Sequence, residues 1–266
     1  MPEQIQRMPV VFIGHGTPMN TLAGNRYTEA WRKLGAALPR PKAVLVISAH
    51  WYVGESAVTA MAQPRTIHDF YGFPPPLFAF QYPAAGDPLL ATRVQQLLRP
   101  VAVRRDDSWG LDHGAWSVLA HLLPSADVPV VELSLDGRQP ATFHYELGRK
   151  LTPLREEGVL ILASGNIVHN LGMMKRSEDA QAFPWATEFE SAARENLLRK
   201  DHAVLLNPVC LGVGARLSIP TPEHYLPLLY AIGAQRDDDP VEVLVDGIDL
   251  ASISMLSVVI GSLPQH

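Results

Sequence analysis

His15, His50 and His169 each stand at or just past the end of an apolar run, and that shared placement is the strongest chemical signal in the chain. His15 follows Val-Val-Phe-Ile-Gly and lies between Gly14 and Gly16. His50 follows Ala-Val-Leu-Val-Ile-Ser-Ala (residues 43–49). His169 falls six residues beyond Val-Leu-Ile-Leu-Ala (159–163), within Ser-Gly-Asn-Ile-Val-His-Asn (164–170). Open α/β sheets bind ligands at the carboxyl edge of their strands, so the three would meet there. His113, in Asp112-His113-Gly114, and His224, in Pro222-Glu223-His224, are each placed at a loop-to-helix junction that could open onto the same edge. Imidazole is both the commonest neutral metal ligand and the side chain that titrates near neutrality. A cluster of them suits one divalent ion together with acid–base chemistry. The glycines beside His15 would allow close approach of backbone or substrate.

A lone histidine after a strand is more often a hydrogen-bonded structural residue than a ligand. What lifts these is the repetition of the placement at several strand ends. Of the ten histidines, His121, His144, His202 and His266 have no such position and are assigned no function. His68, in Thr66-Ile67-His68-Asp69-Phe70, is intermediate. It lies in an aromatic segment and reads either as a substrate contact or as a surface residue. Trp51, Tyr52, Phe70, Tyr71, Phe73 and Trp116 surround these motifs. Core packing is the default for aromatic side chains, but their proximity admits an aromatic ligand, with Trp51 and Phe70 as candidate contacts. Phosphate-loop, dinucleotide-fold, nucleophile-elbow and His-Glu-x-x-His patterns are absent.

The elements that must position these residues alternate between apolar strands and amphipathic helices. Strands are expected at Pro9–Ile13, Ala43–Ser48, Ser56–Met61, Val128–Leu133, Val159–Ala163, Val241–Val245 and Ser252–Ile260. Helices are expected at Arg26–Leu38 (capped by Asn25), Leu89–Leu98, Ala115–Leu123, Ala141–Glu157 and Trp185–Lys200, with a short one from His224. Runs without polar alternation imply a sheet covered on both faces. The fold class is therefore α/β: one domain over residues 1–266, with a central mixed, mostly parallel β-sheet flanked by helices and an antiparallel closing pair. The loop from Gln63 to Pro88 is rich in proline, glycine and aromatics, and is read as lining or covering a site.

Bulk properties narrow the function. With 47% hydrophobic and 18% charged residues, the 266-residue chain can bury a large core. A formal net charge of -5 shows no basic patch for nucleic acid or an anionic membrane, which leaves a small molecule as partner. The single cysteine, Cys210, rules out an intrachain disulfide and fits a reducing compartment. Residues 1–7 lack the apolar core of a signal peptide, and no run is long enough to span a membrane. The expectation is a cytoplasmic protein.

Taken together, six segments resemble the DOPA-type (4,5-DOPA) extradiol dioxygenase family. They are Gly14-His15-Gly16-Thr17-Pro18-Met19, Ser48-Ala49-His50-Trp51, Thr66-Ile67-His68-Asp69-Phe70, Asp112-His113-Gly114, Gly165-Asn166-Ile167-Val168-His169-Asn170 and Pro220-Thr221-Pro222-Glu223-His224-Tyr225. They recur in the family's order over nearly the whole chain. The family is similar to the catalytic subunits of protocatechuate-4,5-type enzymes. The resemblance implies cleavage of a catechol beside its two hydroxyls with incorporation of O2, by non-haem Fe(II), with Zn(II) often found in the site. It places His15, His50 and His224 at the metal, with His169 also facing it, and His113 behind a ligand or facing the substrate; since four ligands would crowd the shell, His169 is read as near the metal at rest and as general base in the substrate complex. The wider superfamily uses two histidines and a glutamate. The third ligand position here reads Glu223-His224, which keeps Glu223 as the alternative. A catechol held through two oxygens, plus O2, fits beside three protein ligands in an octahedral shell but not beside four. Two other classes stay open: a zinc-dependent hydrolase with Glu223 or Asp112 as base, and a non-catalytic metal-binding relative.

Overall fold

Alternate residues of the first apolar run face opposite ways, and both ways lead into a core. Val10 and Phe12 pack with one apolar cluster, Val11 and Ile13 with the other. That pattern is possible only for a strand covered on both sides. The computed structural model describes residues 7–177 and 180–264. Residues 1–6, on which most of the leader reading rested, and His266 lie outside the described residues.

The strands are β1 (Val10–Gly14), β2 (Ala43–Val53), β3 (Ser56–Thr59), β4 (Val103–Asp106), β5 (Val130–Asp136), β6 (Val159–Gly165), β7 (Val241–Val245), β8 (Ile248–Asp249), β9 (Ile253–Ser254) and β10 (Ser257–Ile260). Eight of them form one sheet in the order β4-β3-β5-β2-β6-β1-β10-β7, and β8 and β9 make a short separate ribbon. The central strands β5, β2, β6 and β1 run parallel. Antiparallel pairing enters at β3 with β5, and at β10 with both β1 and β7. The architecture is α/β with a mixed, mostly parallel sheet flanked by helices.

The helices are α1 (Arg26–Ala37), α2 (Pro75–Ala79), α3 (Pro88–Leu98), α4 (His113–Leu122), α5 (Ala141–Leu151), α6 (Pro184–Arg199), α7 (His202–Leu206), α8 (Ala215–Ser218) and α9 (Leu226–Gly233). Buried residues of α3, α5, α6 and α9 pack on one face of the sheet, those of α1 and α4 on the other. Two helix starts are fixed by side-chain caps. Asn25 opens α1 with a reciprocal capping box. Asp112 caps α4 through the amide of Ala115, which makes His113 the first helical residue. Among the described residues no helix is long and apolar enough to cross a membrane.

Several sequence expectations need correction. β2 does not stop at Ser48 but continues to Val53. Its pairing with β6 ends at Ser48 and its pairing with β5 is interrupted between Ile47 and Tyr52. His50 thus lies inside a strand at the point where that strand leaves its neighbours. The helix expected over residues 141–157 ends at Leu151 and passes into a 3₁₀ turn at Thr152–Arg155, because Pro153 has no amide to continue the ladder. The closing strand expected over residues 252–260 is broken into β9 and β10. The last helix starts at Leu226, so His224 sits in the turn before it. Strand β4 was not anticipated, since its Val-Arg-Arg-Asp sequence is too polar to read as a strand.

Candidate active site

Six residues from six separate segments converge at the carboxyl end of the central strands. His15 leaves the end of β1, and Gly14 before it is dictated by space: a Cβ there would lie 2.7 Å from the backbone of Met255. The glycine therefore serves packing against the chain's own backbone. Gly165, at the end of β6, has the carbonyl of His224 only 2.3 Å from where a Cβ would be, and the next amide, of Asn166, donates to that carbonyl at 2.9 Å. This close approach brings the turn holding His224 over the strand end. His50 comes from β2, His113 from the first turn of α4, and His169 from the loop after β6, its amide donating to the carbonyl of Ser218 at 2.8 Å. The sixth residue, Asp69, arrives from the aromatic segment.

The ring contacts define the cluster. Centroids of His15 lie 5.0 Å from His50, 5.8 Å from His113 and 5.4 Å from His224. His50 is 3.8 Å from His113 and 5.1 Å from His224. His169 lies face to face with His224, 3.4 Å apart and 8° from parallel. Two separate groups could each hold an ion: His15, His50 and His113, and His169, Glu223 and His224.

Hydrogen bonding fixes which ring nitrogens point inward. Ser164 Oγ gives its one proton to the carbonyl of Gly114 at 2.6 Å, so at 3.0 Å from His15 Nδ1 it can only accept. His224 Nδ1 meets Glu223 Oε1 at 3.1 Å, and His113 Nδ1 meets Asp69 Oδ2 at 2.9 Å. His50 Nδ1 faces the same Asp69 oxygen at 3.2 Å. Ionised carboxylates accept only, so each ring carries a proton on Nδ1; a neutral ring then has a lone pair on Nε2, while His50, whose charged form its carboxylates favour, can also carry a proton on Nε2 and donate it to His15. Nε2 of His15 and Nε2 of His50 then stand 3.2 Å apart. Nε2 of His224 is buried and has no partner. With both rings neutral those two lone pairs would repel, and the orphaned buried nitrogen of His224 is unfavourable. A divalent cation removes both penalties. Two nitrogens bound to one ion at about 2.0–2.1 Å would be separated by ~2.9–3.4 Å for angles between octahedral and tetrahedral. The residues therefore fit a metal, and the oxygen partner behind each imidazole is the usual support of a metal-bound histidine.

Electrostatics agrees. Burial, reinforced by neighbouring histidines, pushes His15 and His224 well below the ordinary histidine range. Burial, then His50, lowers His113 to about 4. Burial and His50 likewise lower His169 to about 4, against the field of Glu223. His50 differs: burial opposes its charge, but the bond to Asp69 and the carboxylates of Asp112, Asp69 and Glu223 outweigh that and raise it. Burial works against the ionised form of Asp69 too, yet the bonds from His113 and His50 hold it well below the carboxylate range.

The remaining sequence candidates fall in different places. Phe70 is buried and meets His113 edge-on at 5.6 Å. His68 is one ring further out. Its Nε2 donates to the carbonyl of Phe80 at 2.9 Å, and its ring contacts Phe70, Phe78 and Trp116. Trp51 is not brought to the cluster. It is buried and stacks on Trp109 at 5.4 Å, because neighbouring residues of a strand point to opposite faces. Glu223 Oε1 accepts from Thr221 Oγ1 at 2.7 Å and faces His224 Nδ1 at 3.1 Å. Asp112 is wholly buried and accepts from Ser48 Oγ at 2.7 Å and from the Ala115 amide. The histidines assigned no function are tied elsewhere: His121 to the carbonyl of Asn20, His144 to Tyr230, and His202 to Tyr145 and Gln235. Sequence reasoning gave no role to Asp69, Ser164 or the cap at Asp112. A carboxylate inside an otherwise apolar segment was the one available signal for Asp69.

This fold and this histidine site define the class. Residues 10–261 match the family described as the catalytic LigB subunit of aromatic ring-opening dioxygenase, and the chain belongs to that family of enzymes. It is 50% identical to the 4,5-DOPA dioxygenase extradiol of Escherichia coli (strain K12) over 259 residues, covering 96% of this chain and 95% of that one. It is 38% identical to the 4,5-DOPA dioxygenase extradiol of Beta vulgaris over 245 residues, 90% of this chain and 91% of that one. A solved structure of an uncharacterized protein from Escherichia coli K12 superposes with a TM-score of 0.85 at 47% identity, covering 96% of this chain and 100% of that one.

Proposed function

We propose that this chain, acting as one catalytic domain over its 266 residues, opens the ring of catechols bearing a side chain, of the 4,5-DOPA kind, with a single divalent metal ion. The observation that carries the reading is the Nε2 contact of His15 and His50 at 3.2 Å beside the ring of His224, whose centroid lies 5.4 and 5.1 Å from theirs and whose buried Nε2 has no partner. His15, His50 and His224 would hold the ion, with Glu223 behind His224 as its hydrogen-bond partner. The active metal is Fe(II), and Zn(II) suits an all-imidazole set equally well. An Fe(II) ion held there would supply Lewis acidity toward the catechol oxygens and redox chemistry toward O2.

The protein's own groups then divide the remaining work. His169, held neutral by burial with its pKa lowered to about 4 and stacked on His224 beside the metal position, would take a proton from a catechol hydroxyl. His113 directs Nε2 away from Asp69 toward the substrate side, where it would accept a proton or hydrogen bond from a catechol hydroxyl. Phe70 offers an aromatic edge and His68 a polar group beyond it. A bare storage site needs neither His113 nor His169, which favours catalysis over a non-catalytic binding role. The lone exposed Cys210 fits work in the reducing cytoplasm.

The direct test is anaerobic loading with Fe(II), addition of L-DOPA or 4-methylcatechol, then admission of O2. A yellow semialdehyde should form from catechols but not from phenols, which lack the second oxygen. Absence of colour from stoichiometrically iron-loaded protein overturns the assignment.

A further inference from the structure

The aromatic segment between β3 and α3 sends one carboxylate into the cluster, and the proposed ring opening gives it no task. Asp69 Oδ1 accepts from the backbone amide of His113 at 3.0 Å. Its Oδ2 accepts from Nδ1 of the same residue at 2.9 Å and stands 3.2 Å from Nδ1 of His50. One oxygen therefore serves two imidazoles that come from different elements, β2 and α4, with centroids 3.8 Å apart.

Asp69 does not depend on those histidines for its place. The amide of Ile67 donates to the carbonyl of Leu111 at 2.7 Å, and that of Leu111 to the carbonyl of Arg65 at 2.8 Å. Trp116 Nε1 adds a bond to the carbonyl of Ile67 at 2.8 Å. The segment is thus stitched to the approach of α4 two residues before the carboxylate, and Asp69 arrives preorganised.

We propose that Asp69 is a positioning residue that sets the tautomers of His50 and His113 together, presenting Nε2 of His50 to the metal and Nε2 of His113 to the substrate. The physical reason is that an ionised carboxylate cannot donate. Both rings facing Oδ2 must carry a proton on Nδ1, so each, when neutral as a metal-bound or proton-accepting ring is, turns an unprotonated Nε2 inward. The aromatic segment and the metal position become linked through this single oxygen. The substrate-facing half of the statement rests on the ring-opening reading, whereas the tautomers can be measured without turnover.

The test uses the full-length protein loaded with zinc and labelled with ¹⁵N-histidine. Long-range ¹H–¹⁵N correlation should show His50 and His113 protonated at Nδ1 only. A proton on Nε2 of either ring overturns the proposal, and this measurement needs no variant. Asp69→Asn then replaces one acceptor by a donor, so at least one of the three bonds must be lost. Zinc affinity, read by chelator competition, should fall by roughly 10–100-fold, as for other partners of metal ligands. At least one ring should also change tautomer, while thermal stability stays within a few degrees because the stitching bonds remain. An Asp69→Asn protein that keeps both Nδ1 protons and wild-type zinc affinity overturns the idea. Should iron-loaded wild-type protein fail to open catechols while both tautomers stand as stated, the enzymatic reading fails and the role of Asp69 survives.

Discussion

Strand β1 runs between two buried polar clusters built on opposite principles. At its amino end Arg155 is wholly buried and fully engaged. Nε donates to the carbonyl of Met8 at 2.8 Å and Nη1 to that of Ala234 at 2.8 Å, while both Nη atoms bind Asp239. Asp239 is in turn bonded by the amide of Arg236 at 2.7 Å and by Arg7 at 2.9 Å. At the carboxyl end His15, His50 and His224 each give Nδ1 to an oxygen partner and turn Nε2 into the site, where those of His15 and His50 meet only each other and that of His224 meets nothing. A saturated buried cluster has nothing left to bind and serves the fold. A cluster that keeps lone pairs unpaired in one small volume is poised for a ligand. Withholding one nitrogen is not sufficient, as His144 shows: its Nε2 is also buried without a partner, yet its ring contacts are Phe143 and Tyr230 rather than other ligands. Convergence makes the difference.

The contrast is broken most directly by a mutation at each end. Arg155→Ala strips Asp239 of its buried cation and should cost about 3–5 kcal/mol of stability. In a chain of this size that corresponds to a melting point lower by roughly 6–20 °C. The protein that remains folded should still bind one zinc. His224→Ala should do the reverse, losing metal while the metal-free protein melts within a few degrees of wild type. Calorimetry with metal analysis of the folded fraction reads both. A stability loss under about 1 kcal/mol for the first, or full metal occupancy in the second, would erase the distinction between the clusters.

Within the open cluster the next largest effect belongs to the proton-accepting role. His169→Ala should retain zinc, since the three Nε2 atoms are untouched, and lose roughly 100-fold or more in ring opening, as expected for a positioned base. The loss should sit in kcat. Turnover at the wild-type rate with saturating iron would remove His169 from the chemistry. A smaller effect is expected behind the metal. Glu223→Gln leaves His224 in place but weakens its partner, and should reduce metal affinity by about 10–100-fold. Complete loss of binding would instead argue that Glu223 is itself a ligand.

How much of this was legible beforehand depended on whether the cause was local. Apolar runs announced β1, β2, β5 and β6, and those strands deliver His15 and His50 and lead to His169, so the edge of the sheet could be read from spacing. Strand β4 escaped because its middle residues face solvent and carry charge. Trp51 was misplaced because adjacency in sequence was taken for adjacency in space, whereas a strand sends neighbours to opposite sides. Asp69 was invisible as a partner because its bonds span 44 residues to His113 and close only when β2 and α4 meet. The oxygens that orient the histidines are tertiary facts, and no periodicity encodes them.

The smallest effect concerns substrate choice, and it tests how far the site extends beyond the metal. His68 spends Nε2–H on the carbonyl of Phe80, which leaves Nδ1 as an acceptor on a ring held among Phe70, Phe78 and Trp116. Phe70 separates it from His113, so a catechol ring against Phe70 would direct its side chain, rather than its hydroxyls, toward His68. An ammonium group there would donate to Nδ1. A hydrogen bond of this kind contributes about 0.5–1.5 kcal/mol net, or roughly 2–12-fold in binding. His68→Ala should therefore raise KM for L-DOPA by that factor, leave KM for unsubstituted catechol nearly unchanged and spare kcat for both. Equal shifts for the two substrates would confine His68 to holding Phe80 in place, and a fall in kcat would mean that the aromatic segment positions the reacting ring as well as its tail.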